Sequence, residues 1–380
     1  LSLHDALPIL LTCRGLAQRG HEVTLVTGPQ TGPEGSLHER ASDGGVRVVV
    51  VDSLRRAVGL GREWTARGDL RRVFDALSPD VVHTHSSKAG ILGRLAARDA
   101  GVPIIVHTIH GMSFNRTQWW PVRWAYARLE HYCAGFTDKI ISVADAMTDQ
   151  SVAAGVAPRG KFCTIRSGID VGLFDPSAHD RRAIRRRLGF TDEAIVVATV
   201  ARLFKNKGYE YLIPAMARAA ARAPRLAFLW VGDGAHRARY ARALAALGLA
   251  DRVVMTGLVG PSEVPALLAG ADMLVHASRW EGLPRAAVQA LLMGIPVAAF
   301  DVDGTPEVVL DGRTGVLARL GDTRALAEAM VTLAGDEGLR RRYGQAGQAL
   351  CREAFDWRVM VDRIEGVYRT LAPAKGVGLG

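Results

Sequence analysis

Two series of short apolar runs, separated by stretches with helical spacing, divide the chain. In the first series, residues 46–51, 81–83, 104–108, 139–143 and 162–165 read as short buried strands. Residues 70–77, 89–100 and 121–134 read as the helices between them. Upstream, residues 10–20 read as the end of a helix with a glycine stop, and 21–27 as a strand. The second series places strands at 194–200, 226–231, 252–255, 273–277, 296–300 and 314–317. Strand–helix alternation predicts an α/β protein with parallel sheets covered by helices on both faces. At 380 residues the chain exceeds one ordinary core, so two domains are expected, over 1–185 and 190–355. The polar, arginine-rich stretch 176–189 is the expected connection.

The richest segment begins where the apolar run 273–277 stops. It reads S-R-W-E-G-L-P-R-A-A-V-Q-A-L-L-M-G-I-P-V-A-A-F-D-V-D-G-T-P-E-V-V over residues 278–309. Pro284 suits a helix start, Gly294 a helix stop, and a second apolar strand follows. Glu281 is therefore expected in a strand-to-helix crevice, beside a helix N-terminus able to hold an anion. After the first strand of the second series comes Ala201-Arg202-Leu203, with Lys207-Gly208 five residues beyond the arginine. A rigid guanidinium fork and a mobile ammonium near a helix start suit a diphosphate.

This order and spelling resemble the donor-site segment of the family-4 glycosyltransferases, which have the GT-B fold and retain anomeric configuration. The first acidic position of their Glu-x7-Glu pattern is Glu281, whereas the second is Gln289; Asp303-Gly-Thr-Pro-Glu307 stands for the loop that follows. The resemblance spans roughly residues 10–370. It implies two Rossmann-like domains with a cleft between them, the final helix 357–371 completing the first domain. It implies donor binding by Arg202, Lys207, Gln289 and the backbone N–H groups near Gly282 and Leu283, with Glu281 orienting the sugar. Gln289 keeps both a donor and an acceptor, so nucleotide binding is compatible with the change.

Histidines gather at expected strand ends. V-H-T-H-S-S-K-A-G-I-L-G-R covers residues 82–94 and T-I-H-G-M-S-F covers 108–114. Ligands bind at the carboxyl ends of parallel strands, which raises these residues above ordinary buried histidines. The resemblance places His110 beside the donor sugar as a catalytic residue with Glu281, and His83, His85 and Ser86 on the acceptor side. His107 alternates inward and is expected in the core. The same spellings resemble bacterial members that extend lipid-linked surface polysaccharides. The expected partners are a nucleotide-sugar donor and a lipid-linked or oligosaccharide acceptor. A nucleotide-sugar 2-epimerase and a non-catalytic nucleotide-sugar-binding protein are the alternatives.

No cofactor is expected, since the nucleotide sugar is a co-substrate, and no metal is expected. Asp301-Val302-Asp303 reads as a strand end, and Gly232-x-Gly234 is a weak dinucleotide signal. The four cysteines are widely spaced and suit a reducing cytosol. No apolar run approaches the roughly 20 residues needed to span a bilayer. A formal net charge of +10 fits solvated arginine-rich helices or attraction to anionic lipid or phosphorylated substrates. Nucleic acid is not an expected partner, because no binding module accompanies the charge. Residues 119–128, W-W-P-V-R-W-A-Y-A-R, suit either a membrane interface or core packing with solvated arginines. Clustering rather than a single helical stripe favours core packing. The expected location is cytoplasmic, on the inner face of the membrane if the peripheral contact exists.

Residues 1–9, L-S-L-H-D-A-L-P-I, match the translation of a common sequencing-library adapter. The expectation is a truncated gene fragment whose homologous part begins near Leu10. A first strand and Gly-rich loop, which the resemblance implies, would then be absent.

Overall fold

A computed structural model describes residues 3–29, 44–55, 59–114 and 118–378, without the side chains of residues 3–6 and 60. The chain divides into two units, Leu1–Ile169 with Trp357–Gly380, and Asp170–Asp356. The first unit runs α1 (Leu3–Ala17), β1 (Thr24–Thr27), β2 (Arg47–Val50), α2 (Leu60–Leu77), β3 (Val81–His85), α3 (Ser87–Asp99), β4 (Ile104–Ile109), α4 (Trp120–Ala134), β5 (Lys139–Ser142), α5 (Asp145–Ala153) and β6 (Phe162–Thr164). The second continues α6 (Arg181–Arg187), β7 (Ile195–Val200), α7 (Tyr209–Arg222), β8 (Leu226–Val231), α8 (Arg237–Ala246), β9 (Val253–Gly257), α9 (Val264–Ala269), β10 (Met273–His276), α10 (Arg285–Leu292), β11 (Val297–Asp301), β12 (Gly315–Arg319), α11 (Thr323–Gly335) and α12 (Glu337–Ala354). Helix α13 (Trp357–Leu371) returns to the first unit.

In the first unit β3-β4-β5-β6 form one parallel sheet and β1-β2 a separate parallel pair. Among the described residues no ladder joins β1 to β3. All six residues of β4 are buried, as a strand covered on both faces requires. Alternation then sorts them. Ile104 and Val106 pack with Ile364 and Val361 of α13, while Ile105 packs with Leu92 and Ala96 of α3.

The helix end expected over 10–20 belongs to a helix that starts at Leu3 and passes through Pro8. Residues 3–9 are therefore helix; Leu1 and Ser2 lie outside the described residues. Helix α1 closes on α13 at Gly15, where a Cβ would stand 2.8 Å from Val361 Cγ2. Beyond it, Arg19 donates to Glu365 at 2.6 Å and to Asp362.

The second sheet is one six-stranded parallel ladder in the order β12-β11-β10-β7-β8-β9. The strand order reverses between β7 and β10, which makes that point the crevice for a ligand. The boundary lies at residue 170, not near 185. Arg181 and Arg185, within the stretch expected as the connection, both pair with Asp272 just before β10. Asp272 also accepts from Val196 N at 2.7 Å, so α6 is tied to the second sheet.

Candidate functional site

The reversal point of the second sheet gathers the charged candidates. Beyond β7 the chain makes a 3-10 turn at Lys205–Lys207 and enters α7 through Gly208. Gly208 has φ +70°, and a Cβ there would meet Ala277 O at 1.8 Å. Only glycine allows that approach, which draws the β7 loop against the end of β10. Lys207 Nζ consequently sits 2.5 Å from Glu281 Oε1. His276, the last residue of β10 and 5% exposed, places Nε2 3.2 Å from the same oxygen. Burial opposes ionisation of Glu281, but the Lys207 ammonium, and then His276, hold its pKa well below the usual carboxylate range.

The Glu281 backbone is fixed as well. Its N–H donates to Asp303 Oδ2 at 2.8 Å. Asp303 adopts φ +45°, a left-handed conformation unusual for a residue with a Cβ. Gly282 and Leu283 are buried, and among the described residues no protein acceptor takes their N–H groups. Two free donors and an ammonium thus stand beside the carboxylate at the start of α10. Gln289 is on α10 and buried. Arg202 forms no ion pair or hydrogen bond with Lys207 or Glu281; its guanidinium lies 5.2 Å over the Phe204 ring. The glycines at 232 and 234 answer to backbone crowding, since Cβ atoms there would lie 2.3 Å from Ala201 O and 2.7 Å from Leu203 O.

In the first unit β3 and β4 bring the histidines together. His83 Nδ1 lies 2.5 Å from Tyr368 Oη, and its Nε2 lies 2.7 Å from Thr108 Oγ1. The His83 and His85 rings are 4.4 Å apart, and His85 Nδ1 is 3.1 Å from His110 Nε2. Burial, and then neighbouring His110, lowers the His83 pKa to about 3; burial and the other histidines lower His85 well below its ordinary value. These two imidazoles are neutral at pH 7 and can exchange hydrogen bonds with hydroxyl groups. Ser86 follows at φ 62° and precedes α3. His107 is in the core, 2.9 Å from Thr84 Oγ1. His85, His110, Pro8, Thr12 and Ser167 border a cavity of about 10 Å³. A larger hollow of about 540 Å³, near Val316, Asp322 and Glu328, contains none of the candidate residues.

Two sequence profiles match the chain, "Glycosyl transferase 4-like domain" over residues 9–168 and "Glycosyl transferases group 1" over 180–350. An Escherichia coli UDP-Gal:alpha-D-GlcNAc-diphosphoundecaprenol alpha-1,3-galactosyltransferase is 30% identical over 330 residues, covering 86% of this chain and 84% of that protein. The chain belongs to the family-4 GT-B glycosyltransferases. A GDP-mannose-dependent phosphatidylinositol monomannoside mannosyltransferase of Mycolicibacterium smegmatis is 28% identical to this glycosyltransferase, with 91% and 90% of the two chains covered. The structure of Anabaena HepE in complex with UDP and glucose superposes with a TM-score of 0.82 over 96% of each chain, at 23% identity, which supports the fold.

Three residues or pairs beside the candidate sites were not singled out from the sequence. His276 was hidden in an apolar strand, and Asp303 was read only as the start of a loop, not as the partner of Glu281 N. The third is a buried clasp: Arg94, 0% exposed, donates to Glu130 Oε2 at 2.6 Å, and Glu130 Oε1 accepts from Ser113 at 3.0 Å. It anchors the loop that follows His110. Only the pairing of Arg94 and Glu130 across helical faces could have signalled it, and their separation in sequence concealed it.

Proposed function

We propose that the chain is a retaining glycosyltransferase that moves a sugar from a nucleotide-sugar donor to a lipid-linked saccharide acceptor, on the inner face of the cytoplasmic membrane during surface-polysaccharide synthesis. The observation that carries the donor half is the meeting of Lys207, Glu281 and two free backbone N–H groups where the second sheet reverses. The lipid-linked acceptor is supported by relatives whose names specify a diphosphoundecaprenol and a phosphatidylinositol mannoside.

In this reading the sugar C1–O bond to the diphosphate breaks and a bond from C1 to the acceptor oxygen forms. The departing diphosphate gathers negative charge. Lys207 and the N–H groups of Gly282 and Leu283 stabilise that charge without reorganising. Arg202 joins them once its guanidinium leaves Phe204. Ionised Glu281 keeps acceptor capacity for hydroxyls of the donor sugar. Gln289 contacts the nucleoside. His110 lines the reacting centre, and His83, His85 and Ser86 offer neutral hydrogen-bond partners to the acceptor. No metal is assigned a role.

The test incubates the purified protein with a panel of nucleotide sugars and an undecaprenyl-diphosphate-linked sugar, and reads the product linkage by NMR. Transfer with the donor's anomeric configuration kept, and insensitive to EDTA, is expected. Inversion overturns the retaining assignment. Free epimerised sugar without acceptor points to the epimerase, and binding without turnover to a non-catalytic protein.

A further inference from the structure

We propose that α4 is a docking surface for an anionic lipid bilayer, inserting its tryptophans at the headgroup level. Core packing was the expectation for this stretch, and the structure overturns it. Trp119, Trp120 and Trp124 are 72%, 73% and 61% exposed, and Val122 and Leu129 are exposed beside them. The helix is held to the unit by its other end: Glu130, Cys133 and Ala134 are its buried residues. Its first turns therefore project apolar rings that the protein does not cover. Large exposed aromatic area is the informative exception on a soluble surface.

The charge around these rings selects the occupant. Arg123 and Arg128 are exposed on the same helix. Among the described residues no carboxylate pairs with either, and Arg128 lies 5.8 Å over the Trp124 ring. The one acid in α4 is Glu130, which is buried against Arg94. The exposed part of the helix is thus aromatic and cationic, with no exposed acid of its own. A second copy meeting it across a two-fold axis would set like charges together. An anionic bilayer supplies what the surface lacks, phosphates for the arginines and an interface where the amphipathic indole ring is favoured. Among the described residues no helix is long and apolar enough to cross a membrane, and the contact proposed for α4 is an interfacial one.

This deepens the membrane part of the proposed function and rests on it. Vesicle binding is measured without substrates, so the docking surface and sugar transfer can fail separately. The full chain is floated with vesicles of phosphatidylcholine, with and without phosphatidylglycerol, at low and raised salt. Three of the seven tryptophans are on or beside this helix, so lipid-borne bromine quenching reports their insertion. Binding to phosphatidylglycerol vesicles is expected, weakened by salt, with quenching of Trp fluorescence. Trp119→Ser/Trp120→Ser/Trp124→Ser should abolish quenching and lower partitioning at least tenfold, with an unchanged thermal melt. Arg123→Gln/Arg128→Gln should lower the preference for the anionic vesicles by roughly fivefold per arginine while leaving the tryptophans in place. Equal partitioning of the parent and the Trp variant overturns the proposal. So does a self-association seen by sedimentation that disappears in the Trp variant while vesicle binding is absent throughout. Transfer to a lipid-linked acceptor without any vesicle binding would overturn the docking surface and leave the enzyme reading standing.

Discussion

The two units place their candidate sites at the same topological position, the carboxyl ends of parallel strands, and fill them with opposite chemistry. The second unit uses ions. Lys207 and Glu281 are paired beside unsatisfied backbone donors, an arrangement suited to a diphosphate. The first unit uses neutral groups. His83 and His85 are kept uncharged by burial and linked to Thr108, Tyr368 and His110. A neutral histidine cluster suits sugar hydroxyls and would gain nothing from a phosphate. The fold supplies a location, and the side chains decide which chemistry it can hold.

The sharpest way to break this contrast is to remove one ion. Lys207→Met leaves the Glu281 carboxylate, whose side chain is only 13% exposed, without its cation. Losing one partner of such a buried pair costs about 3–5 kcal/mol. A denaturant melt should show this loss, and Lys207→Met/Glu281→Gln should recover most of it. A Lys207→Met variant as stable as the parent would show that the pair is not a closed ionic unit.

Backbone crowding comes next. Gly208→Ala combines a left-handed conformation, about 1–2 kcal/mol, with overpacking against Ala277 O, about 1–3 kcal/mol. In the first unit Gly90→Ala meets only the overpacking term, because its Cβ would stand 2.5 Å from His107 Cε1 while its φ is ordinary. Melts of the two variants should rank Gly208→Ala as the more damaging. The reverse order would mean that the His107 packing is the stricter constraint.

Acid separates the units. A histidine with a lowered folded pKa binds fewer protons folded than unfolded. Its stabilising contribution is therefore present above the unfolded value near 6.5. For His83 it is lost as pH falls from there toward about 3. His85 and His107 shift in the same direction. Glu281 also has a lowered folded pKa, so its contribution is present above the unfolded value near 4.3 and lost only below it. Amide exchange followed from pH 7 to 4.5 should show β3 and β4 losing protection before β7 and β10. Simultaneous loss would contradict the neutral-against-ionic contrast.

How much of this was legible in the chain depends on whether a feature is local. The strands of both sheets follow from apolar runs with turn signals; that the loops after β7 and β10 meet, with Lys207 on Glu281 and Arg202 on Phe204 instead, is a tertiary fact. The domain boundary was misplaced because an arginine run reads as solvated until a distant Asp272 is seen to bind it. The α4 aromatics were assigned to the core because composition cannot say which end of a helix is held. Asp303 was read as a strand end entering the 303–307 loop, with no role of its own; its left-handed backbone and its bond to Glu281 N are tertiary facts.

The smallest effect is expected at Gln289. Gln289→Glu should change donor affinity by no more than about 1 kcal/mol, since both side chains accept from a hydroxyl. Calorimetric titration with the preferred nucleotide sugar would check this. A loss on the order of a hundredfold, several times that energy, would give the amide a dedicated role.

Donor affinity also offers the most direct test of the division between the units. Calorimetry would compare the parent with Lys207→Met/Glu281→Gln and with His85→Asn, using one nucleotide sugar throughout. The ionic double variant should weaken binding by about 1.5–3 kcal/mol, the size of a charge-assisted hydrogen bond, while His85→Asn leaves it unchanged within error. Unchanged affinity in the double variant, or an equal loss in His85→Asn, would contradict the placing of the donor diphosphate at Lys207 and of the donor sugar at Glu281.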